Sequence, residues 1–163
     1  MSRGEVSGNR RAQLARATHA GAAEPHVHAV VAGPEHLDSL GHVNNARYFE
    51  FFEAGRTTWY DKGGLTVACR DAGYPDSDTV VVNITCDFMK ECIAGERLTV
   101  VTWPERLGGK SFSVRQRLIK ANGALCAQAT VTSVVMNLRT RQAVTLPRTL
   151  ECLFPPTAGG QGL

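Results

Sequence analysis

Between Asp38 and Asn45 the run Asp-Ser-Leu-Gly-His-Val-Asn-Asn carries a carboxylate, an imidazole and two amides immediately ahead of a helical pattern. The start of a helix presents backbone N–H groups that have no partner within the helix, together with a partial positive charge. Aimed at a carbonyl, such groups polarise it, and they stabilise an oxyanion that develops there. Asp38 lies close enough in sequence to face that point, with His42, Asn44 and Asn45 between it and the helix. Each of these residues also has a plain structural use. Asp38 suits an Asx turn, in which the side chain accepts backbone N–H groups just after it. Asn44 or Asn45 suits an N-cap, which is fully compatible with a reactive helix start.

Other titratable residues are weaker candidates. Glu50 and Glu53 fall on the helix, where an unpaired buried carboxylate is costly, and Arg56, three residues after Glu53, is the expected structural partner. Glu91 follows a strand, where a carboxylate is usually solvated. His26 and His28 share one face of a strand, but no third ligand stands at a regular spacing, so no metal site is expected. The sequence has no Gly-x-Ser-x-Gly elbow, Walker loop or Gly-x-Gly-x-x-Gly fingerprint, which leaves a serine triad and a nucleotide-fold cofactor unsupported.

The elements that must hold these residues can be read from the pattern. A short strand is expected over His26 to Ala32, ended by Gly33-Pro34 and a loop through Gly41. From Ala46 to about Lys62 the aromatics Tyr48, Phe49, Phe51, Phe52, Trp59 and Tyr60 fall on several helix faces. That distribution predicts a helix buried nearly all round. A second helical stretch, Leu65 to Ala72, closes at Gly73-Tyr74-Pro75. Val80, Val82, Ile84, Cys86 and Phe88 then alternate with Val81, Asn83, Thr85, Asp87 and Met89, a strand period. Strands follow at Arg97 to Trp103, Ser111 to Ile119 and Leu125 to Asn137, with Asn122-Gly123 as a hairpin turn, and a last one at Ala143 to Leu146. One buried helix followed by several sequential antiparallel strands predicts an α+β domain in which a curled sheet wraps the helix.

A chain of 163 residues accommodates one domain: residues 25–150, between an N-terminal tail over residues 1–24 and a C-terminal tail over residues 151–163. The N-terminal tail is rich in Ala, Gly, Ser and Arg, buries too little to offset the entropy of ordering, and lacks a signal-peptide core. No apolar run approaches the roughly 20 residues that span a bilayer. Five cysteines, odd in number and without a Cys-x-x-Cys pair, argue for reduced thiols and a cytoplasmic location. Net charge is +3; the tail's Arg3, Arg10, Arg11 and Arg16 stand against Glu5 and Glu24, which leaves 14 basic and 13 acidic residues elsewhere. No block of positive charge suits a nucleic acid.

The run from Asp38 to Arg56, with its His42-Val43-Asn44-Asn45 core, Ala46-Arg47-Tyr48 and Glu53-Ala54-x-Arg56, resembles the hotdog-fold acyl-CoA thioesterases related to 4-hydroxybenzoyl-CoA thioesterase. It looks most like the bacterial long-chain acyl-CoA branch. Val80 to Ile84, Asp87 to Glu91 and Gly95-Glu96 extend the resemblance, which covers roughly residues 26–150. The resemblance implies a five- or six-stranded antiparallel sheet around the long helix, and a homodimer, or a dimer of dimers, with sites at the interface. It implies that Asp38 is general base or nucleophile towards the thioester carbonyl, that the Asn45 N–H binds the thioester oxygen, and that His42 and Asn44 orient water or substrate. Glu91 matches a carboxylate used in the plant acyl-carrier-protein relatives. Those relatives carry a second Asn two residues before the His, where this chain has Leu40. The implied substrate is an acyl-CoA or acyl-carrier-protein thioester, with no cofactor apart from the CoA of the substrate itself. Two competing readings share the fold: a hydroxyacyl-thioester dehydratase or hydratase, whose His-Phe-Pro-type motif is absent, and a non-catalytic acyl-CoA-binding module.

Overall fold

A computed structural model of the chain describes residues 24–155. The expected tail over residues 1–24 lies outside the described residues except for Glu24, and so do residues 156–163 of the C-terminal tail. Five strands, β1 (His26–Val31), β2 (Ser77–Phe88), β3 (Arg97–Leu107), β4 (Ser111–Lys120) and β5 (Leu125–Asn137), form one sheet in the order β1-β3-β4-β5-β2. Every neighbouring pair is antiparallel. The long helix α1 (Asn45–Gly63) and the short helix α2 (Leu65–Asp71) lie between β1 and β2 in sequence. This is the α+β arrangement expected, with five strands.

One face of the sheet meets α1. Phe112, Val114 and Leu118 of β4 and Ala127, Ala129 and Val131 of β5 join Tyr48, Phe51, Phe52, Trp59 and Tyr60 of the helix in a single buried cluster. The helix is not buried all round. Ala46, Glu50, Glu53, Thr57 and Asp61 make an exposed stripe, because three- and four-residue steps keep them on the side away from the sheet. Glu53 is therefore hydrated and needs no internal partner. Among the described residues no ion pair joins it to Arg56, which is itself buried, and Glu50 pairs instead with Arg47.

The expected alternation along β2 holds only in part. Residues directly opposite one another in an antiparallel pair share a sheet face. Ala127, Ala129, Val131, Ser133 and Val135 of β5 are buried, and they oppose Phe88, Cys86, Ile84, Val81 and Thr79 in turn. The register shift between Val81 and Asn83 is a bulge at Val82, which reverses the faces on its N-terminal side. Val82 is accordingly 57% exposed, and Val80 turns away from the core.

β3 continues past Trp103 to Leu107, with a second shift between Pro104 and Arg106 that absorbs the proline's missing donor. The expected strand at Ala143 to Leu146 is only an isolated bridge from Ala143 to Met136, beside a hydrogen bond from Val144 N–H to Val135 O. The domain does not end at residue 150. A 3-10 helix (Arg148–Leu153) brings Phe154 into the core against Trp59 and Phe112, so residues 151–154 belong to the body rather than to a tail.

Candidate active site

A small hairpin carries Asp38 to the start of α1. It opens with a 3-10 turn (Pro34–His36), and its arms are joined by the Leu37–Val43 bridge and by a hydrogen bond from Asn44 N–H to His36 O, 2.9 Å. Asp38 N–H donates to His42 O at 2.8 Å. At the tip, Gly41 takes a left-handed φ of 79°, which an L side chain would resist. The Asp38 side chain makes the Asx turn that its residue type suggests. Its Oδ1 accepts Leu40 N–H at 2.9 Å and His42 N–H at 3.3 Å. Among the described residues Oδ2 accepts no hydrogen bond. The structural use of this carboxylate thus occupies one oxygen and leaves the other for chemistry.

Asn44 is the N-cap of α1. Its Oδ1 accepts Ala46 N–H at 2.9 Å, and its carbonyl accepts Arg47 N–H at 2.8 Å. None of the described hydrogen bonds uses the Asn45 N–H, as expected at the first position of a helix. The hairpin and the helix start form one wall of an open groove of about 430 Å³, which Asp38, His42, Asn44 and Asn45 all line. The opposite wall is the end of β2 and the segment after it, Phe88 to Glu91, and Tyr48 lies between the two.

Glu91 is not merely solvated. Its Oε2 lies 3.0 Å from His42 Nε2, so the pair ties the two walls together across the groove, although both side chains remain substantially exposed. Behind the groove the Tyr48 hydroxyl donates to Lys90 O at 3.2 Å, and burial pushes its phenol well above the ordinary tyrosine range. Val43 N–H donates to Cys92 O, and Met89 and Lys90 N–H donate to Cys126 O. Those two cysteines are fully buried, and all five in the chain are free.

The remaining expected residues lie elsewhere. Glu53 is two turns further along α1 and is not in the groove wall. His26 and His28 face α1 from β1; the His28 Nδ1 is 3.3 Å from Thr58 Oγ1, and burial, with help from Lys62 and His28, lowers the His26 pKa. No cluster of three or more metal-binding side chains occurs among the described residues. Sequence reasoning passed over the apolar half of the groove, Leu40, Tyr48, Phe88 and Met89. Phe88 stacks edge-on against both Tyr48 and Phe49, and the signal was the pair of bulky apolar residues ending β2 opposite a helix start rich in aromatics.

A five-stranded antiparallel sheet carrying one long helix is the hotdog arrangement, and the relatives of the chain make it a thioester hydrolase. The chain belongs to the thioesterase-like superfamily, whose family model matches residues 32–152. It is 32% identical over 114 residues to the long-chain acyl-CoA thioesterase FadM of Escherichia coli, covering 68% of this chain and 83% of that protein. Among solved structures it is similar to the probable thioesterase YbaW of Escherichia coli, with a TM-score of 0.64 and 30% identity over 77% of this chain and 93% of that one. A hypothetical protein of Staphylococcus aureus solved in complex with CoA shares the fold at a TM-score of 0.71 and 18% identity, covering 90% and 98% of the two chains. No described helix is long and apolar enough to cross a membrane.

Proposed function

We propose that the chain hydrolyses acyl-CoA thioesters to the free acid and thiol, with Asp38 as the attacking or proton-accepting carboxylate. The observation that carries this reading is the shared groove: the unengaged Oδ2 side of Asp38 and the unpartnered N–H of Asn45 line the same opening. In the general-base route Asp38 takes a proton from water as the water oxygen bonds to the thioester carbon. The carbonyl oxygen becomes an oxyanion on Asn45 N–H at the positive end of α1. The C–S bond then breaks, and the proton passes from Asp38 to the departing sulfur. In the nucleophilic route the carboxylate itself bonds to that carbon, the thiolate leaves, and water cleaves the resulting anhydride. His42, steadied by Glu91, orients the water or the thioester, and Asn44 fixes the helix start.

Long-chain acyl-CoA is the substrate in the name of the 32% identical relative, and the apolar wall of Leu40, Phe88 and Met89 suits an acyl chain. Acyl-carrier-protein thioesters are the second substrate class. Among the described residues β2 bonds to β5 alone and leaves Val82 and Phe88 exposed. Two copies joined along that edge satisfy its free backbone groups and bring the groove wall at Phe88 to Glu91 beside the partner. We place this dimer, or a pair of such dimers, in the cytoplasm, where the free cysteines stay reduced. Thiol release from short-, medium- and long-chain acyl-CoAs, benzoyl-CoA and an acylated carrier protein tests the reading. Turnover of at least one above the buffer rate is expected, and no turnover of any contradicts it.

A further inference from the structure

We propose that His36 is a positioning residue for this reaction, an imidazole whose Nδ1 acceptor and ring edge fix the turn after β1 and the Asp38 hairpin to the start of α1. The inference rests on the thioesterase reading for its effect on rate, while its structural content stands on the contacts of His36 alone. Three parts of the residue are committed, one to its own 3-10 turn and two to α1 and its cap. Its Nδ1 accepts the Gly33 N–H at 2.8 Å, across the 3-10 turn that follows β1. Its carbonyl accepts the Asn44 N–H at 2.9 Å, at the residue that caps α1 and precedes the Asn45 N–H. Its ring meets Phe51 of α1 edge-on, with centroids 5.0 Å apart.

The segment it anchors is already fixed on the far side. Ala32 N–H donates to Glu96 O at 3.0 Å and Gly95 N–H donates to Ala32 O at 2.7 Å, so the backbone just before Gly33 is tied to the start of β3. From this point to Asn45 the chain makes its turn, its hairpin and its helix start. Within that span the imidazole joins the Gly33 turn to Phe51 of α1. A displacement on the order of 1 Å at reacting groups can cost about 100-fold in rate.

The bond from Gly33 requires Nδ1 to accept, so the proton of the neutral ring is on Nε2, which lies 3.8 Å from Glu35 Oε1. Glu35 is the acidic neighbour of the ring, on its own turn. On α1 the ring meets the apolar Phe51, and the Arg47 of that helix is engaged by Glu50.

Two variants and two measurements test this. His36→Asn places an amide oxygen where Nδ1 was and cannot take up a proton near neutrality; His36→Phe keeps the edge contact to Phe51 and removes the acceptor. At pH 8, His36→Asn should keep kcat within about threefold of wild type. His36→Phe should lose about 10- to 100-fold in kcat with KM within about threefold, since the anchor acts on geometry rather than on binding. Independently of turnover, the backbone amide resonances of Gly33 and Asn45 should stay near their wild-type positions in His36→Asn and shift together in His36→Phe, which lacks the acceptor. Full kcat in His36→Phe, or a loss in His36→Asn as large as in His36→Phe, would overturn the proposal. A wild type without thioesterase activity would instead remove the reaction, and the amide shifts would then decide the anchoring alone.

Discussion

Replacing Gly55 with alanine probes how α1 is set on the sheet, and the structure determines the sign of the effect. A Cβ at Gly55 would lie 2.5 Å from Val100 Cγ1 and 3.0 Å from Val100 Cβ, with Gln116 Nε2 at 3.4 Å. Val100 is fully buried on β3, and its branched side chain is stiff, so it cannot swing aside as the end of a long side chain would. Relief requires the helix to rise or the strand to yield, at a cost of about 1–3 kcal/mol for an overpacked core. The Gln116 amide also donates to Phe52 O on α1 at 2.9 Å, and losing that buried bond adds about 1 kcal/mol. Against this, alanine is favoured over glycine in a helix by about 1 kcal/mol. The net is a destabilisation of about 1–3 kcal/mol, or about 4–10 °C in Tm for a body of this size. Urea unfolding of Gly55→Ala, Val100→Ala and the double variant provides the assay. The double variant should recover at least about 1 kcal/mol relative to the sum of the single changes. A neutral or stabilised Gly55→Ala, or strict additivity, would refute this account of how the helix sits on the sheet.

Three further outcomes follow from the structure. Burial raises the Glu96 carboxyl, but hydrogen bonds from Lys120 and Ile93 N–H outweigh it and hold the pKa below the ordinary value, while the same pair raises Lys120. The carboxylate's contribution is thus fully present above about pH 4 and lost as pH falls through the lowered pKa, so Glu96→Gln should destabilise the fold at pH 7 and progressively less on acidification below about pH 4. A cost that does not shrink on acidification would show that packing rather than charge is at stake. Light scattering at low micromolar concentration should find a dimer or tetramer, and a fully active monomer of 17.6 kDa would show that one chain completes the site. Removing residues 1–24 should leave both Tm and kcat/KM nearly unchanged, because that stretch offers a core almost no apolar surface; a large loss of either would show that it docks on the body.

Much of the fold was legible because local chemistry and pattern agreed. Asn122-Gly123 marks the β4–β5 turn, and the aromatic run after Asn45 marks α1. The bulge in β2 was not legible: Val80, Val81 and Val82 are all apolar, so the sequence is compatible with either face assignment, and only pairing against Ser133 and Thr132 decides it. The strand expected at Ala143 was lost for the opposite reason, since a β-rich segment found a single bridge in place of a ladder. At the site, the residues that a helix start demands were readable from type and spacing. What escaped was contact between distant segments. Nothing local to Glu91 signals that it reaches His42, and nothing local to Phe154 signals that it closes the core beside Trp59. The exposure of Glu53 is hidden in the sequence, because aromatics spread around the helix mask the stripe on which it lies.

The central claim rests on the free oxygen of Asp38, and steady-state thiol release by Asp38→Asn tests it most directly. Asparagine can keep the Oδ1 acceptor for Leu40 and His42 N–H, so the hairpin should survive while the charge is lost. The account predicts a fall in kcat of roughly 10²- to 10⁴-fold with KM within a few-fold and an unchanged melting temperature. A folded Asp38→Asn protein that keeps more than about a third of the wild-type kcat, a far smaller loss than removal of a general base produces, would contradict it.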